Sequence, residues 1–412
     1  MSKPMGAIPA DFAAQGAMLK IGGRSVDALI AQAGDTPLFV YDLGMVDRRI
    51  ARFRAAFPVV QLHYAIKANS YGPLLAHVAK QVDGLDIASA GEMDLALAAG
   101  MAAADISFAG PGKRESDLER AIAAGVTLNC ESEGEAARAL AIGSRLGVRP
   151  RLAVRVNPDF EIKGSGMRMG GGAKPFGVDA ERAAALVRAI IAAGAEWRGF
   201  HIFAGSQALN PEALIEAPQA TLDLAGDLAD SIGATPPLVN LGGGFGIPHF
   251  HGERDLDIEA VGTGLAQTLA GRAPILAETR FAIELGRWLV AQCGVYLTRI
   301  VDRKVSHGKT FLVTDGGMHH QLAASGNFGQ LVRRNYPVAI ATRFGSAPEE
   351  EVTIVGCLCT PLDRLGDDVM TPRAEVGDLV AVFLAGAYGL SASPQAFLGH
   401  PAAREMTVGG EN

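Results

Sequence analysis

From residue 36 onward, short apolar runs alternate with longer Ala-rich stretches whose apolar positions recur at helical spacing. The runs at 61–65, 84–87, 106–108, 127–128, 152–156, 199–202, 238–240 and 281–284 read as strands, and the stretches at 91–99, 116–124, 134–146, 180–193 and 211–232 as helices. Eight strands separated by helices predict an α/β fold, a (β/α)8 TIM barrel over residues 36–287, with its chemistry at the C-terminal strand ends. Past residue 287 the helical period gives way to alternation at 294–301, 310–313, 351–355 and 379–384, which predicts a C-terminal, mostly β domain over 288–412. Two stretches within it, 316–336 and 385–400, are too long for hairpin turns and read as functional loops. Residues 1–35 hold a short alternating piece and a helical piece, and are expected to pack with the β domain.

A chain of 412 residues with 49% hydrophobic and 20% charged residues has ample material for two cores. Its apolar runs are interrupted by Arg or Glu before reaching membrane-spanning length, and the first 21 residues lack a basic flank and a continuous apolar segment. The expected location is cytoplasmic, with no membrane partner. A net charge of -7, with no dominant Lys/Arg cluster, argues against nucleic acid. Cys130, Cys293, Cys357 and Cys359 are too scattered for a disulfide framework or a four-thiolate zinc site, and no metal is expected.

The first strand runs into Lys67, followed by Asn69, Ser70 and Gly72, which read as a turn opening a helix at Pro73. Strand interiors disfavour lysine, so this amine either snorkels to water or is used chemically, for instance as a Schiff base to a carbonyl cofactor. The other strand ends present Ser89, Gly110, Glu131, Asn157, the 201–206 stretch, the Gly-rich 242–246 and Glu284 with Arg287. Each alone can be a cap or turn residue, and for Ser89, Gly110, Glu131 and Asn157 that reading is as good as a functional one. Convergence on one rim is what makes them a site.

Tyr64-Ala-Ile-Lys67-Ala-Asn69, Asp86-Ile-Ala-Ser89, Gly205-Ser206-Gln207, Gly242-Gly-Gly-Phe-Gly246, Glu284-Leu-Gly-Arg287, Cys359 and Ala387-Tyr388 stand in the order of a known family. The chain resembles the pyridoxal-phosphate decarboxylases of the alanine-racemase fold, such as diaminopimelate and ornithine decarboxylases. Residues 155–172 and 199–206 look most like the branch associated with exosortase A systems. The resemblance implies that Lys67 holds pyridoxal 5'-phosphate as an imine. It also implies that Glu284 faces the pyridine nitrogen, where a charge-assisted bond contributes roughly 1.5–3 kcal/mol. The Gly-rich turn, with Gly243, Gly244 and Gly246, would admit the phosphate, with Ser206, Arg287 and Tyr388 as further donors. Asp86, Ser89, His201, Phe203 and Gly286 complete the expected cofactor set, and Arg287, Thr360, Asp363 and Tyr388 the expected substrate set. Cys359 falls where the family places the thiol that returns a proton to the former α-carbon. Read alone, a free cysteine is more often a small buried apolar residue. Cys357 stands where the family has proline and takes no role.

Two positions depart from the diamine-forming members. Phe203 replaces a ring-stacking histidine; it can stack but cannot exchange a proton, and His201 either supports the site from behind or substitutes for the lost imidazole. Thr360 replaces an acidic residue that reads a distal ammonium. The expected substrate is therefore an amino acid or a carrier-bound amino-acyl conjugate with a neutral or anionic far end. Lys163, Arg168 and Lys174, in and beside the Gly-rich stretch 164–172, either face an acidic carrier or form a solvated loop. A racemase of the same fold and a non-catalytic cofactor-binding homologue are the competing readings.

By resemblance the active form is a homodimer with shared sites, Cys359 of one chain serving Lys67 of the other. Mixing inactive Lys67→Ala and Cys359→Ala chains should then restore up to about a quarter of the sites when partners exchange randomly at equal concentrations. Absence of recovery despite demonstrated exchange rules out sharing.

Overall fold

The computed structural model describes residues 2–161, 167–168, 170–328, 330 and 332–410. Lys163 and the side chain of Arg168 lie outside them. The chain divides into two compact units, one formed by 50–247 and 255–286, the other by 1–49, 248–254 and 287–412.

In the first unit the eight strands are Gln61–Ala65, Gly84–Ile87, Ile106–Phe108, Thr127–Cys130, Arg151–Asn157, Glu196–Ile202, Leu238–Gly243 and Arg280–Leu285. Each pairs in parallel with its neighbour, and pairing of the first with the eighth closes the cylinder. Buried on both faces, these strands are nearly continuous apolar runs, as expected where helices cover a parallel sheet. The helices outside them start and stop where local chemistry requires. Ser132 caps Glu133–Leu146 by accepting the Glu135 N–H, and Gly147, at φ 64°, ends it in the left-handed conformation. The sixth strand is irregular between Trp197 and Gly199. Gly199 has a φ of 105°, and a Cβ there would strike the Leu238 carbonyl, so glycine is the residue that lets the sixth and seventh strands meet.

The second unit is organised by the long strand Gly294–Ser306. Its first half lies between Leu38–Asp42 and Leu379–Phe383, and its second half pairs with Lys309–Thr314. Glu350–Val355 and Arg364–Thr371 continue the sheet, Val338–Ile340 pairs with Leu379–Phe383, and Arg404–Val408 runs parallel to Leu38–Asp42. This corrects the expected barrel start at residue 36, because Leu38–Asp42 belongs to the β unit and the barrel unit begins at Ile50. Residues 38–41 are buried and apolar, a pattern that suits either sheet; the pairing is fixed by partners more than 250 residues away, including a 2.7 Å hydrogen bond from Tyr41 Oη to Glu405 Oε1. Arg287, expected at the barrel's end, likewise opens the β unit.

Gly199→Ala should cost about 3 kcal/mol or more, since the added methyl meets backbone in a conformation that L-residues avoid. Thermal unfolding of the cofactor-free protein checks this; an unchanged midpoint contradicts the packing described.

Candidate active site

The first barrel strand ends in a single helical turn, Ile66–Ala68, which swings Lys67 out of the ladder onto the rim. Its side chain is exposed at the mouth of a cavity of about 460 Å³, with Nζ 5.8 Å from the centre of the Phe203 ring. Phe203 therefore presents a π-face toward the amine, as a stacking residue would. Asp86 and Ser89, after the second strand, line the same cavity. Ser89 Oγ accepts the Glu92 N–H at 3.1 Å and caps the helix Ala90–Ala98, while Glu92 accepts the Ala88 N–H at 2.6 Å. Asp86 is buried, with Oδ2 3.4 Å from His63 Nδ1.

Glu284 lines the same cavity. Its Oε2 lies 3.0 Å from His201 Nε2 and accepts a 3.3 Å hydrogen bond from Asn240 Nδ2. Burial pushes this carboxyl's pKa up, yet His201, then Lys67 and Arg155, outweigh it and hold the value at about 2. A permanent carboxylate thus stands at the barrel end. His201 acts through Glu284, since its Nε2 faces the carboxylate and its Nδ1 has no hydrogen bond among the described residues. Arg155 donates to Glu131 at 2.9 Å, and Glu131 also accepts the N–H groups of Gly110 and Gly177. Buried Lys113 ties Gly110 O, Asn129 O and Glu135 together at 2.7–2.9 Å. Gly110 and Glu131 are thereby scaffold to the rim.

The Gly-rich turn is built for close approach. A Cβ on Gly243 would strike the Glu284 carbonyl and one on Gly244 the Gly205 carbonyl, while Gly242 and Gly244 have φ values of 72° and 78°. Gly246 departs from its expected role as a phosphate donor: its N–H goes to Ala208 O at 2.8 Å, because residues 208 and 245 bridge the two loops. Ser206 sits half-exposed on the facing loop, its backbone paired with Met167. Gly286 lets the segment after Glu284 approach Ala68, whose Cβ would lie 2.9 Å from a side chain there.

The remaining expected residues belong to the β unit. The Arg287 guanidinium lies 4.7 Å from the centre of the Tyr388 ring, a cation–π pair that couples the two anion-binding candidates. Cys359 is exposed, which suits a thiol offered to a reactant rather than a packing residue. Thr360 is half-buried. Asp363 is not placed to read a substrate. It is buried, and its two oxygens accept the Met318 N–H at 2.6 Å and the Leu358 N–H at 2.8 Å. Its carboxylate braces the loop because Gly317 and Gly356 leave space into which it folds. Cys357 is half-buried; burial and the nearby Asp363 push its thiol up to about 11.

An accessible amine, an anionic carboxylate held below it and a turn stripped of side chains meet at the C-terminal end of one barrel. Pyridoxal phosphate fits that set. His63, Arg155 and Asn240 were not singled out as candidates, although each breaks an apolar strand with a polar inward-facing side chain, which is the signal that marks them.

The sequence profile described as "Pyridoxal-dependent decarboxylase, pyridoxal binding domain" matches residues 43–291. An L-glutamyl-[BtrI acyl-carrier protein] decarboxylase from Niallia circulans is 38% identical over 90% of this chain and 88% of its own length. A diaminopimelate decarboxylase from Archaeoglobus fulgidus is 30% identical over 97% of this chain and 94% of its own. The crystal structure of a Helicobacter pylori diaminopimelate decarboxylase with L-lysine superposes with a TM-score of 0.82 at 27% identity, covering 93% of this chain and 94% of that one. These relatives are decarboxylases, which disfavours the racemase reading.

Glu284→Gln keeps the shape of the side chain and removes its charge. Turnover should fall by roughly tenfold to a hundredfold, the equivalent of one charge-assisted bond of about 1.5–3 kcal/mol. Steady-state rates on folded, cofactor-loaded variant check this, and an unchanged rate dismisses the role given to Glu284.

Proposed function

The chain belongs to the pyridoxal-dependent decarboxylases, and we propose that within this family it removes the α-carboxylate of an amino acid joined to a carrier through its side-chain carboxyl, so that its far end is neutral or anionic. The observation that carries this reading is the loop after Cys359. Thr360 offers a hydroxyl where a carboxylate would meet a distal ammonium, and Asp363 is committed to the backbone amides of Met318 and Leu358. An ammonium left unpaired in a closed site is penalised by about 1–3 kcal/mol, which rejects a substrate with a distal ammonium by roughly fivefold to a hundredfold. The relative that acts on a carrier-bound glutamyl group shares 38% of its residues with this chain, against 30% for a diaminopimelate decarboxylase.

When bound, pyridoxal phosphate supplies the electron sink for the pair left behind by carbon dioxide. The chain's residues position and protect that chemistry. Lys67 Nζ would hold the cofactor through its carbonyl carbon. Glu284, kept anionic, would favour a proton on the ring nitrogen, and Phe203, its ring 5.8 Å from Lys67 Nζ, would be the stacking surface. Ser206, Gly243 and Gly244 would bound the space for the phosphate. Cys359 Sγ holds the proton that replaces the lost carboxylate.

The proposed assembly is a homodimer in which the β unit's loops cover the partner's barrel. Support comes from apolar side chains left exposed on those loops. Phe328 is 43% exposed and Leu362 55%, with the Phe328 ring 6.2 Å from that of Tyr388.

Carbon dioxide release from a panel comprising glutamyl-carrier thioester, glutamyl-pantetheine, free glutamate, lysine, ornithine and diaminopimelate tests the substrate. The carrier thioester should be used best, with free diamine-forming amino acids at least tenfold behind in kcat/KM. Preference for lysine or diaminopimelate overturns the assignment.

A further inference from the structure

Besides the Lys67 cavity the barrel unit holds a second, smaller one of about 60 Å³. His63, on the first strand four residues before Lys67, lines the smaller cavity and points Nδ1 at Asp86, which lines the larger one. The ring is accommodated because Gly84, its partner on the second strand, has no side chain: a Cβ there would lie 2.9 Å from His63 Nε2. We propose that His63 is a positioning residue for the Lys67 site, an imidazolium that steers Asp86 and offsets the carboxylates of Asp86 and Glu284 under the reacting amine.

His201 and Arg155 contact Glu284 and Glu131, but Asp86 has His63 as its basic neighbour on the adjoining strand. The 3.4 Å separation lacks hydrogen-bond geometry, and neither His63 Nδ1 nor Asp86 Oδ2 has another hydrogen-bond partner among the described residues. For two buried groups in that state the ion pair is the favoured form, because charge attraction, unlike a hydrogen bond, does not depend on a linear N–H···O. The charged groups around the ring come from several elements: Asp83 before the second strand, Asp86 on it, Asp105 before the third, Arg198 on the sixth, and Arg280 and Glu284 on the eighth. Burial opposes the imidazolium, and Asp86, Glu284 and Asp83 outweigh it, so the proton is held more tightly than on an ordinary histidine. The smaller cavity has room for ordered water and polar walls, including the hydrogen-bonded Ser107 and Asn129, through which the imidazole can exchange its proton without passing the substrate.

A raised native-state proton affinity contributes stability that is complete below the unfolded value of about 6.5 and is lost as pH rises through the native value. In cofactor-free protein, the difference in melting temperature between wild type and His63→Gln should be widest near pH 6 and shrink toward pH 9. A pH-independent difference overturns the proposal. Histidine-selective carbon-13 NMR of the same protein gives a second reading: one imidazole should titrate above about 6.5, and its midpoint should drop by at least a tenfold change in proton affinity in Asp86→Asn. That reading needs no His63 variant to fold, and the absence of such a signal also overturns the proposal. In protein loaded with pyridoxal phosphate, His63→Gln should shift the pH midpoint of the visible absorption band; lower occupancy with an unmoved midpoint would reduce His63 to a packing residue. None of these measurements uses a substrate, so they stand apart from the carrier-bound assignment above.

Discussion

Burying three carboxylates inside one barrel is the constraint from which the rest of the site follows. Asp86, Glu131 and Glu284 all point inward from strands or strand ends, and an unpaired charge there would cost several kcal/mol. Each is met by a basic side chain on another strand: Asp86 by His63, Glu131 by Arg155 and Glu284 by His201. These pairs bind strand register to electrostatics. A one-residue slip of the first strand would turn His63 to the helical layer and leave Asp86 facing an apolar wall. The barrel therefore cannot be repacked around the site without uncovering a charge.

That arrangement also explains why the reactive amine sits where it does. Lys67 is carried out of the ladder by a helical turn and remains solvent-accessible, while the negative charge stays below it in the closed part of the barrel. Glu284 is held anionic by neighbours already in place, so a cofactor whose ring nitrogen it faced would meet a preorganised anion. The neighbouring loops are held by their own bonds rather than by a ligand. Lys113 clamps Gly110, Asn129 and Glu135, and Gln207 grips Ile247 through both ends of its amide.

Much of this was legible in the sequence because the barrel announces itself twice, by apolar strands at regular spacing and by chemistry at their ends. Lys67, Glu284 and the glycine turn stand out since each is the wrong residue type for the packing role its position suggests. Other features are settled by partners that are remote in sequence. Residues 38–42 have a composition suited to a barrel strand and are claimed instead by Gly294–Ser306 and Arg404–Val408. Arg364–Thr371 carries arginine and two aspartates and gives little apolar alternation, although it forms a strand against Glu350–Val355. His63 is hidden for the opposite reason: one polar residue in an apolar run looks like tolerance until the glycine opposite it is seen to leave room for the ring.

Asp363 shows how the same residue type can lose one function by acquiring another. Its carboxylate accepts two backbone N–H groups on opposite sides of the loop and occupies the space left by Gly317 and Gly356, so it sets the path of residues 356–363. A carboxylate so engaged has its lone pairs directed into the loop, and releasing one to a substrate ammonium would leave a buried amide without a partner, a loss of about 1–3 kcal/mol that cancels most of the attraction. The path it fixes keeps Cys359 exposed and leaves Thr360 as the adjoining polar group. The loop's polar side chains are thus divided: Asp363 is committed to two backbone amides, while the Thr360 hydroxyl accepts the Leu362 N–H at 3.4 Å and keeps a proton to donate.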